Sequence, residues 1–220
     1  NARILNMEPV VSAAPTPPVI AILGTGRMGL PMATRLCQAG LTVHAWNRNR
    51  SKADPLATLG ATVHDQATDA VRQADIVISM LENGPVVEQV LFGLGTAHAM
   101  KPGTLVVDMA SIKPVEARDH AARLQALGLH HVDAPVSGGT VAAEAGTLAI
   151  MAGGEAADLA RALPVLQHLG STVHVGPHGA GQLAKLANQM IVGITIGAVS
   201  EALLMCAKGG ADMAKVREAI

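Results

Sequence analysis

A glycine-rich turn between an apolar run and an amphipathic run constrains this chain more than any other feature. Residues 24–29 read Gly-Thr-Gly-Arg-Met-Gly and fit the pattern G-x-G-x-x-G. The apolar run 19–23 precedes the turn, and a helical pattern over 28–39 follows it. A strand, a glycine turn and a helix in this order are typical of a dinucleotide-binding βαβ unit.

The three glycines of the turn have separate roles in such a unit. Gly24 permits the tight turn, Gly26 lets a pyrophosphate approach the backbone, and Gly29 lets the helix pack close to the strand. The N-terminus of the helix then faces the anion. The candidate cofactor-binding residues of the turn are Gly24, Thr25, Gly26, Arg27, Met28 and Gly29.

The end of the second strand-like run discriminates between the two nicotinamide dinucleotides. An NAD site usually has Asp or Glu there, about 20 residues after the glycines, to accept bonds from the ribose hydroxyls. This chain instead reads Trp-Asn-Arg-Asn-Arg-Ser-Lys over residues 46–52. Without a carboxylate, and with Arg48 beside Asn47, the sequence favours NADP(H), whose 2′-phosphate pairs with arginine. NAD(H) remains the alternative, because basic residues also occur at solvated helix starts.

Short apolar runs alternate with helical patterns from residue 19 to about residue 176, which predicts an α/β fold. Most of these runs are apolar throughout, as expected for strands covered on both faces. We expect a Rossmann-type, doubly wound, mostly parallel sheet. The predicted strands are 19–23, 42–46, 61–64, 76–79, 105–108, 129–133, 148–152 and 172–175, and the predicted helices within this part are 28–39, 114–127 and 155–169.

The alternation stops near Gly176, and the chain divides into three predicted parts. Residues 1–18 carry four prolines and are expected to form a flexible leader. Residues 19–180 form the predicted Rossmann domain. Residues 181–220 comprise a long interdomain helix, apolar on most of its circumference, and the start of an all-α domain that looks cut short.

Composition excludes several classes of partner. Lys+Arg 16 against Asp+Glu 17 gives a formal charge of -1, which leaves no global field to attract nucleic acid or an anionic membrane. One Trp and one Phe cannot build a stacking platform for single-stranded nucleic acid.

The most apolar stretch, 190–199, is interrupted by glycines and a threonine, so we expect no membrane span. Two distant cysteines fit a reducing cytoplasm. The nine histidines lack metal-ligand spacing, and no metal is predicted.

Two segments carry candidate reaction chemistry. Ser137, Gly138 and Gly139 follow a predicted strand, where a hydroxyl and backbone N–H groups can converge on a carboxylate. Lys185 and Asn188 share one face of the long helix. A lysine shielded from water has a lowered pKa, which suits a proton donor or acceptor. Taken singly, a Ser-Gly-Gly turn is more often ordinary turn chemistry, and a lysine at a helix start is more often a solvated side chain.

The combination resembles the β-hydroxyacid dehydrogenase family, which includes 3-hydroxyisobutyrate dehydrogenase and tartronate semialdehyde (2-hydroxy-3-oxopropionate) reductase. The resemblance covers residues 19–208. Four ordered segments carry it, at 24–33, 108–114, 133–139 and 181–189. The last of these contains Lys-Leu-Ala-Asn-Gln, which is most similar to the reductase branch.

The resemblance implies a role for each candidate residue. Lys185 is implied as the general acid in aldehyde reduction and the general base in alcohol oxidation, and Asn188 as a substrate-positioning residue. Ser137, Gly138 and Gly139 are implied to bind the substrate carboxylate. Further candidates for the nicotinamide end are Met80, Leu81 and Ser111, although Glu82 stands where the family usually has proline.

The expected substrate is a small carboxylate aldehyde or its hydroxy acid, and the expected assembly is a homodimer or a dimer-based tetramer. Two alternatives stay open. An imine reductase shares the fold and cofactor motif but typically lacks lysine at the catalytic position. A non-catalytic NADP-binding module would use the Rossmann domain to sense cofactor or to recognise a partner.

Overall fold

The computed structural model describes residues 17–220, so the leader expected at 1–18 lies outside the described residues except for its last two positions. Nine strands in this part form one sheet. They are β1 (Ile20–Leu23), β2 (Val43–Trp46), β3 (Thr62–His64), β4 (Ile76–Ser79), β5 (Leu105–Asp108), β6 (His130–Asp133), β7 (Val136–Ser137), β8 (Leu148–Gly154) and β9 (Gly170–Gly176).

The sheet has the strand order of a doubly wound fold. Six strands lie in the order β3-β2-β1-β4-β5-β6, and every neighbouring pair among them is parallel. β1 pairs on one side with β2 and on the other with β4, with Ile20 opposite Val43 and Ile76. The chain order reverses at this point, so a crevice opens beyond the carboxyl ends of β1 and β4, where ligands bind in such sheets.

The far edge of the sheet departs from the parallel pattern. β8 pairs antiparallel with both β6 and β7, and β9 then pairs parallel with β8. Each of the eight predicted strands overlaps an observed one, and the predicted fold class is confirmed. The two-residue strand β7 was not predicted, because a run of two residues carries no periodicity.

The helices lie on both faces of the sheet and at its carboxyl edge. The α-helices are α1 (Gly29–Gln38), α2 (Ala67–Val71), α3 (Gly84–Glu88), α4 (Thr96–Ala99), α5 (Pro114–Ala126), α6 (Gly139–Ala145), α7 (Ala156–Leu166), α8 (Ala180–Lys208) and α9 (Met213–Ala219). The four short helices α2, α3, α4 and α6 were not predicted.

Successive side chains of the central strands point to opposite faces of the sheet, so a hydrophobic core forms on each face. In β1, Ile20 and Ile22 belong to the core beneath α1 and α7, whereas Ala21 and Leu23 belong to the core on the opposite face. All four are fully buried. Each large aliphatic side chain buried in this way contributes about 1.5–3 kcal/mol, which is why the strands need apolar residues on both faces.

Helix α8 is mostly uncovered in this chain. Its buried residues are Gly181 and Gln182, both in the first turn. Its apolar side chains spread around the helix, as the sequence predicts, and most of them are exposed. The exposed ones are Leu183, Leu186, Met190, Ile191, Val192, Ile194, Ile196, Val199, Leu204 and Met205.

The length of α8 corrects one expectation. The glycines and threonine within 190–199 do not interrupt the helix, which runs for 29 residues and contains a window of mean hydropathy 2.0. By length and composition it could therefore cross a membrane, contrary to the expectation that it is too short. Interior helices of soluble proteins meet the same test, since they too are apolar all round.

Candidate active site

Glycines in the turn after β1 occupy positions that other residues cannot. Gly24 has a φ of +99°, and a Cβ there would collide with the carbonyl oxygen of Met80. A Cβ on Gly29 would collide with the carbonyl oxygen of Gly24, so α1 packs directly on the turn. Gly26 is different, because a Cβ built on it meets nothing within 4 Å. The fold thus requires Gly24 and Gly29, whereas the space beside Gly26 is open to a ligand.

The residues around this space fit the pyrophosphate of a dinucleotide. α1 has no side-chain cap and no acidic residue in its first turn, so its N–H groups can bind an anion. The Thr25 hydroxyl oxygen is buried and has no hydrogen-bond partner within residues 17–220. Arg27 is exposed and Met28 half-buried at the start of the helix. A bound dinucleotide would hold its phosphates here.

Asn47 and Arg48, at the end of β2, have different surroundings. The Asn47 Oδ1 accepts a hydrogen bond from the Thr25 N–H at 3.0 Å, and its Nδ2 donates to the Asn49 carbonyl at 2.9 Å. Asn47 therefore braces the glycine turn. Arg48 is exposed and forms no ion pair with any residue in the described part of the chain. Arg50, by contrast, pairs with Asp65 at 2.7 Å.

The predicted nicotinamide end lies on the other side of the turn. Met80 follows β4, and its N–H donates to the Leu23 carbonyl at 2.9 Å. Leu81 is half-buried, and its Cδ2 lies 2.9 Å from the position of a Cβ on Gly24. Ser111 is exposed on the loop after β5. Glu82, which stands where the family usually has proline, is exposed and directly follows Leu81.

A cleft of about 370 Å³ separates the loop after β5 from α8. Ser111 lies on one side of it and Lys185 on the other. Lys185 is half-buried, and this desolvation lowers the pKa of its ammonium group from the ordinary value. The remaining lining residues are Asn83, Gly84 and Pro85 at the start of α3, Ile112 and Lys113 on the loop after β5, Glu116 on α5, and Gln182, Leu186 and Gln189 on α8.

Asn188 connects α8 to the Ser-Gly-Gly segment. Its Nδ2 donates to the Ser137 Oγ at 3.4 Å, across 51 residues of sequence. Gly138 and Gly139 follow at the start of α6, both exposed and both with positive φ. Lys185 and Asn188 are three residues apart on one helix, so the Ser137 side of the site and the cleft meet along the same face of α8.

Asp133 is a buried anchor that sequence reasoning did not identify. Its Oδ1 accepts a hydrogen bond from the Gly179 N–H at 2.7 Å, and its Oδ2 accepts one from the Gln182 N–H at 3.0 Å. Burial raises the pKa of this carboxyl, and the two backbone N–H bonds oppose that rise. A carboxylate from β6 thereby caps the first turn of α8.

Gln182 is the second anchor that sequence reasoning missed. Its Oε1 accepts from the Ile112 N–H at 3.1 Å, and its Nε2 donates to the Ala110 carbonyl at 2.9 Å. The side chain thus fixes α8 to the loop that carries Ser111. Asp133 and Gln182 lie within the segments 133–139 and 181–189. The sequence signal that could have identified them is a polar residue among apolar neighbours, which indicates a buried side chain that needs hydrogen-bond partners.

Asp108 extends the same polar network below the cleft. Its Oδ1 accepts from the Ser79 Oγ at 2.7 Å and from the Ala110 N–H at 3.1 Å. Full burial raises the pKa of this carboxyl to about 7. Asp108 therefore joins the carboxyl ends of β4 and β5, while Asp133 joins β6 to α8.

Two histidines also converge beside this network. The rings of His131 and His178 lie 5.7 Å apart, centroid to centroid. Full burial lowers the pKa of His131 to about 3. Their separation by 47 residues gave no spacing signal in the sequence.

We predict that Gln182→Leu lowers the free energy of unfolding by about 1–3 kcal/mol, because the Ile112 N–H and the Ala110 carbonyl lose their buried partner. Urea denaturation measures the change. The matched control is Gln125→Leu, at an exposed position on α5, and its expected change is within about 0.5 kcal/mol. Equal losses for the two variants would contradict the anchoring role.

Comparison with known proteins is consistent with this geometry. Residues 19–176 match the NAD-binding domain of 6-phosphogluconate dehydrogenase, and residues 179–220 match the NAD-binding domain of NADP-dependent 3-hydroxyisobutyrate dehydrogenase. The chain is 43% identical over 203 residues to 2-hydroxy-3-oxopropionate reductase of Escherichia coli, covering 91% of this chain and 69% of that one.

Two further relatives agree with these matches. The 3-hydroxyisobutyrate dehydrogenase of Pseudomonas aeruginosa is 42% identical over 203 residues, covering 90% of this chain and 67% of the relative. The solved structure of Mycobacterium tuberculosis 3-hydroxyisobutyrate dehydrogenase with L-serine superposes with a TM-score of 0.86 at 38% identity, covering 90% of this chain and 67% of that one. The chain thus spans about two thirds of the length of these relatives.

Proposed function

Because the chain belongs to the β-hydroxyacid dehydrogenase family, we propose that it interconverts a small carboxylate aldehyde, such as tartronate semialdehyde or a related semialdehyde, and its hydroxy acid. The observation that carries the proposal is the position of Lys185, half-buried in the cleft opposite Ser111, on the helix whose Asn188 contacts Ser137. A proton donor and a carboxylate-binding segment are thereby brought to one face of α8.

NADP(H) is the preferred cofactor in this proposal, and it supplies or accepts the hydride at the carbonyl carbon. The open space at Gly26, the free first turn of α1 and the unpartnered Thr25 hydroxyl support binding of the pyrophosphate there. The unpaired guanidinium of Arg48 is suited to the 2′-phosphate. Met80, Leu81 and Ser111 would line the nicotinamide end of the bound cofactor.

Lys185 moves the proton that accompanies the hydride. In aldehyde reduction its ammonium donates a proton to the carbonyl oxygen, and in alcohol oxidation the neutral amine takes the hydroxyl proton back. Partial burial assists both directions, because it lowers the lysine pKa towards neutral pH. Asn188 orients the reacting oxygen, while Ser137 and the N–H groups of Gly138 and Gly139 hold the substrate carboxylate.

The organisation of the chain follows from the same assignment. Residues 19–180 act as the Rossmann domain, and residues 181–220 as the interdomain helix with the start of an all-α domain. We place the protein in the cytoplasm, with a small-molecule substrate and no nucleic acid or membrane partner.

An imine reductase is disfavoured by Lys185, and a non-catalytic module by the half-buried position of that lysine in a cleft.

We predict that Lys185→Ala reduces turnover of the aldehyde by about 10²-fold or more, because the positioned proton donor is lost. NADPH affinity is expected to stay nearly unchanged, since Lys185 lies away from the glycine turn. Steady-state kinetics and fluorescence titration of NADPH measure the two effects. Lys208→Ala, at the far end of α8, is the matched control, and a Lys185→Ala variant that retains full turnover would refute the assignment.

We predict that Arg48→Asp weakens NADPH binding relative to NADH binding, because it removes a charge-assisted bond and adds repulsion against the 2′-phosphate. The ratio of the two dissociation constants is the measurement. Arg217→Asp makes the same charge change on α9 and should leave the ratio unaltered. If Arg48→Asp also leaves it unaltered, the preference for NADP(H) lies elsewhere.

The exposed apolar surface of α8 supports a homodimer or a dimer-based tetramer formed through this helix. We predict that Met190→Glu combined with Ile194→Glu converts the assembly to a monomer, because both side chains are exposed here at 64%. Light scattering at micromolar concentration measures the mass. The control Val141→Glu, at an exposed position on α6, should keep the assembly, and a monomeric parent protein would exclude this interface.

A further inference from the structure

We propose that His131, Asp133 and His178 form a binding site for a divalent transition metal of the Zn²⁺ type. One ring nitrogen of each histidine and one carboxylate oxygen of Asp133 lie within 4.8 Å of one another. Two imidazoles and a carboxylate are ligands that Zn²⁺ accepts, with a water as fourth ligand. This proposal replaces the expectation, drawn from sequence spacing alone, that the histidines bind no metal.

Three of the four ring nitrogens of the two histidines are buried without a hydrogen-bond partner among residues 17–220. His131 is 2% exposed, yet neither of its nitrogens has a hydrogen-bond partner among the described residues. The Nδ1 of His178 is also buried and unpartnered. A neutral imidazole carries one donor and one acceptor, and burying both unmet is unfavourable. A metal ion would give an unpartnered nitrogen on each ring a bond.

The backbone brings these three side chains to one place. His131 and Asp133 are two residues apart on β6, so their side chains point to the same face of the sheet. His178 lies in the turn that joins β9 to α8. On the neighbouring strand β8, a Cβ at Gly153 would lie 2.8 Å from the Asp133 Oδ1, and one at Gly154 would lie 3.3 Å from the His178 Nδ1. The two glycines keep the space beside the ligand atoms free of side chains.

Asp133 can coordinate a metal without releasing α8. Each of its oxygens accepts one backbone N–H bond, and each has a second lone pair available. Tetrahedral bonds of 2.0–2.1 Å place ligand atoms about 3.4 Å apart, so binding would require only a small inward movement of the rings. The metal would then join β6 to the start of α8, as a structural site beneath the helix that carries Lys185.

Two other candidate clusters in the described part of the chain are held by ion pairs or hydrogen bonds. Glu88, Asp119 and His120 also lie close together, but Arg123 pairs with Glu88 at 2.8 Å and with Asp119 at 3.2 Å. That guanidinium pairs with both carboxylates, and the His120 Nε2 lies 3.2 Å from the Glu88 Oε2. The Nδ1 of His44 and the Nε2 of His64 lie 2.8 Å apart and bond each other. His120 keeps one buried nitrogen, its Nδ1, without a partner among the described residues, whereas His131 lacks a partner at both of its nitrogens.

The test uses the full chain, stripped of metal with a chelator and then titrated with ZnCl₂ or CoCl₂ alone. We expect saturation at one metal per chain and visible Co²⁺ absorption bands typical of tetrahedral nitrogen and oxygen ligands. His178→Ala and His131→Leu should each weaken the affinity at least tenfold. His98→Ala, at an exposed position on α4, is the matched control and should bind as the parent does.

Three outcomes would overturn the proposal. They are the absence of saturable one-to-one binding, full affinity in His178→Ala, and loss of binding in His64→Ala with retention in His178→Ala. His178 is only half-buried, so its variant keeps the test decisive if His131→Leu does not fold. Because the titration measures metal binding and not turnover, its result is independent of the proposed oxidoreductase activity.

Discussion

The arrangement of the site depends on the bond between the buried Asp133 carboxylate and the first turn of α8. Taking a carboxylate out of water is costly, and the cost is tolerated only where strong donors replace the water. The N–H groups of Gly179 and Gln182 are such donors, and they belong to the helix end that carries partial positive charge. The two bonds fix both the position of the helix start and its rotation about the helix axis.

From that anchored end the functional residues are a short distance away. Lys185 and Asn188 follow Gln182 by three and six residues, or about 4.5 and 9 Å along the axis. Gln182 also bonds the loop that holds Ser111, so both sides of the cleft are tied to one side chain. The network explains why a half-buried lysine is held against the cleft instead of extending into solvent.

The sequence predicts those parts of the molecule that local pattern determines. The glycine turn, the eight main strands and the long helix follow from hydrophobic periodicity and turn chemistry. Glycine is required at positions 24 and 29 because a Cβ there would collide with the Met80 carbonyl just after the neighbouring strand or with the Gly24 carbonyl a few residues earlier. The role of Asp133 is not local, since its partners are 46 and 49 residues away. The contact between His131 and His178 is not local either. Periodicity in the sequence indicates which face of the sheet a side chain points to, but only the packed structure shows which groups lie next to it on that face.

The long helix has two parts with different surroundings. Its residues up to Asn188 pack partly against the sheet and the loop after β5, whereas residues 189–202 are all exposed. The polar side chains that carry the proposed chemistry lie in the anchored part, and the apolar side chains that need a cover dominate the other. A charged or amide group beyond Asn188 would have no buried partner to orient it. The apolar part can therefore serve assembly without constraining the placement of Lys185, which Asp133 and Gln182 already determine.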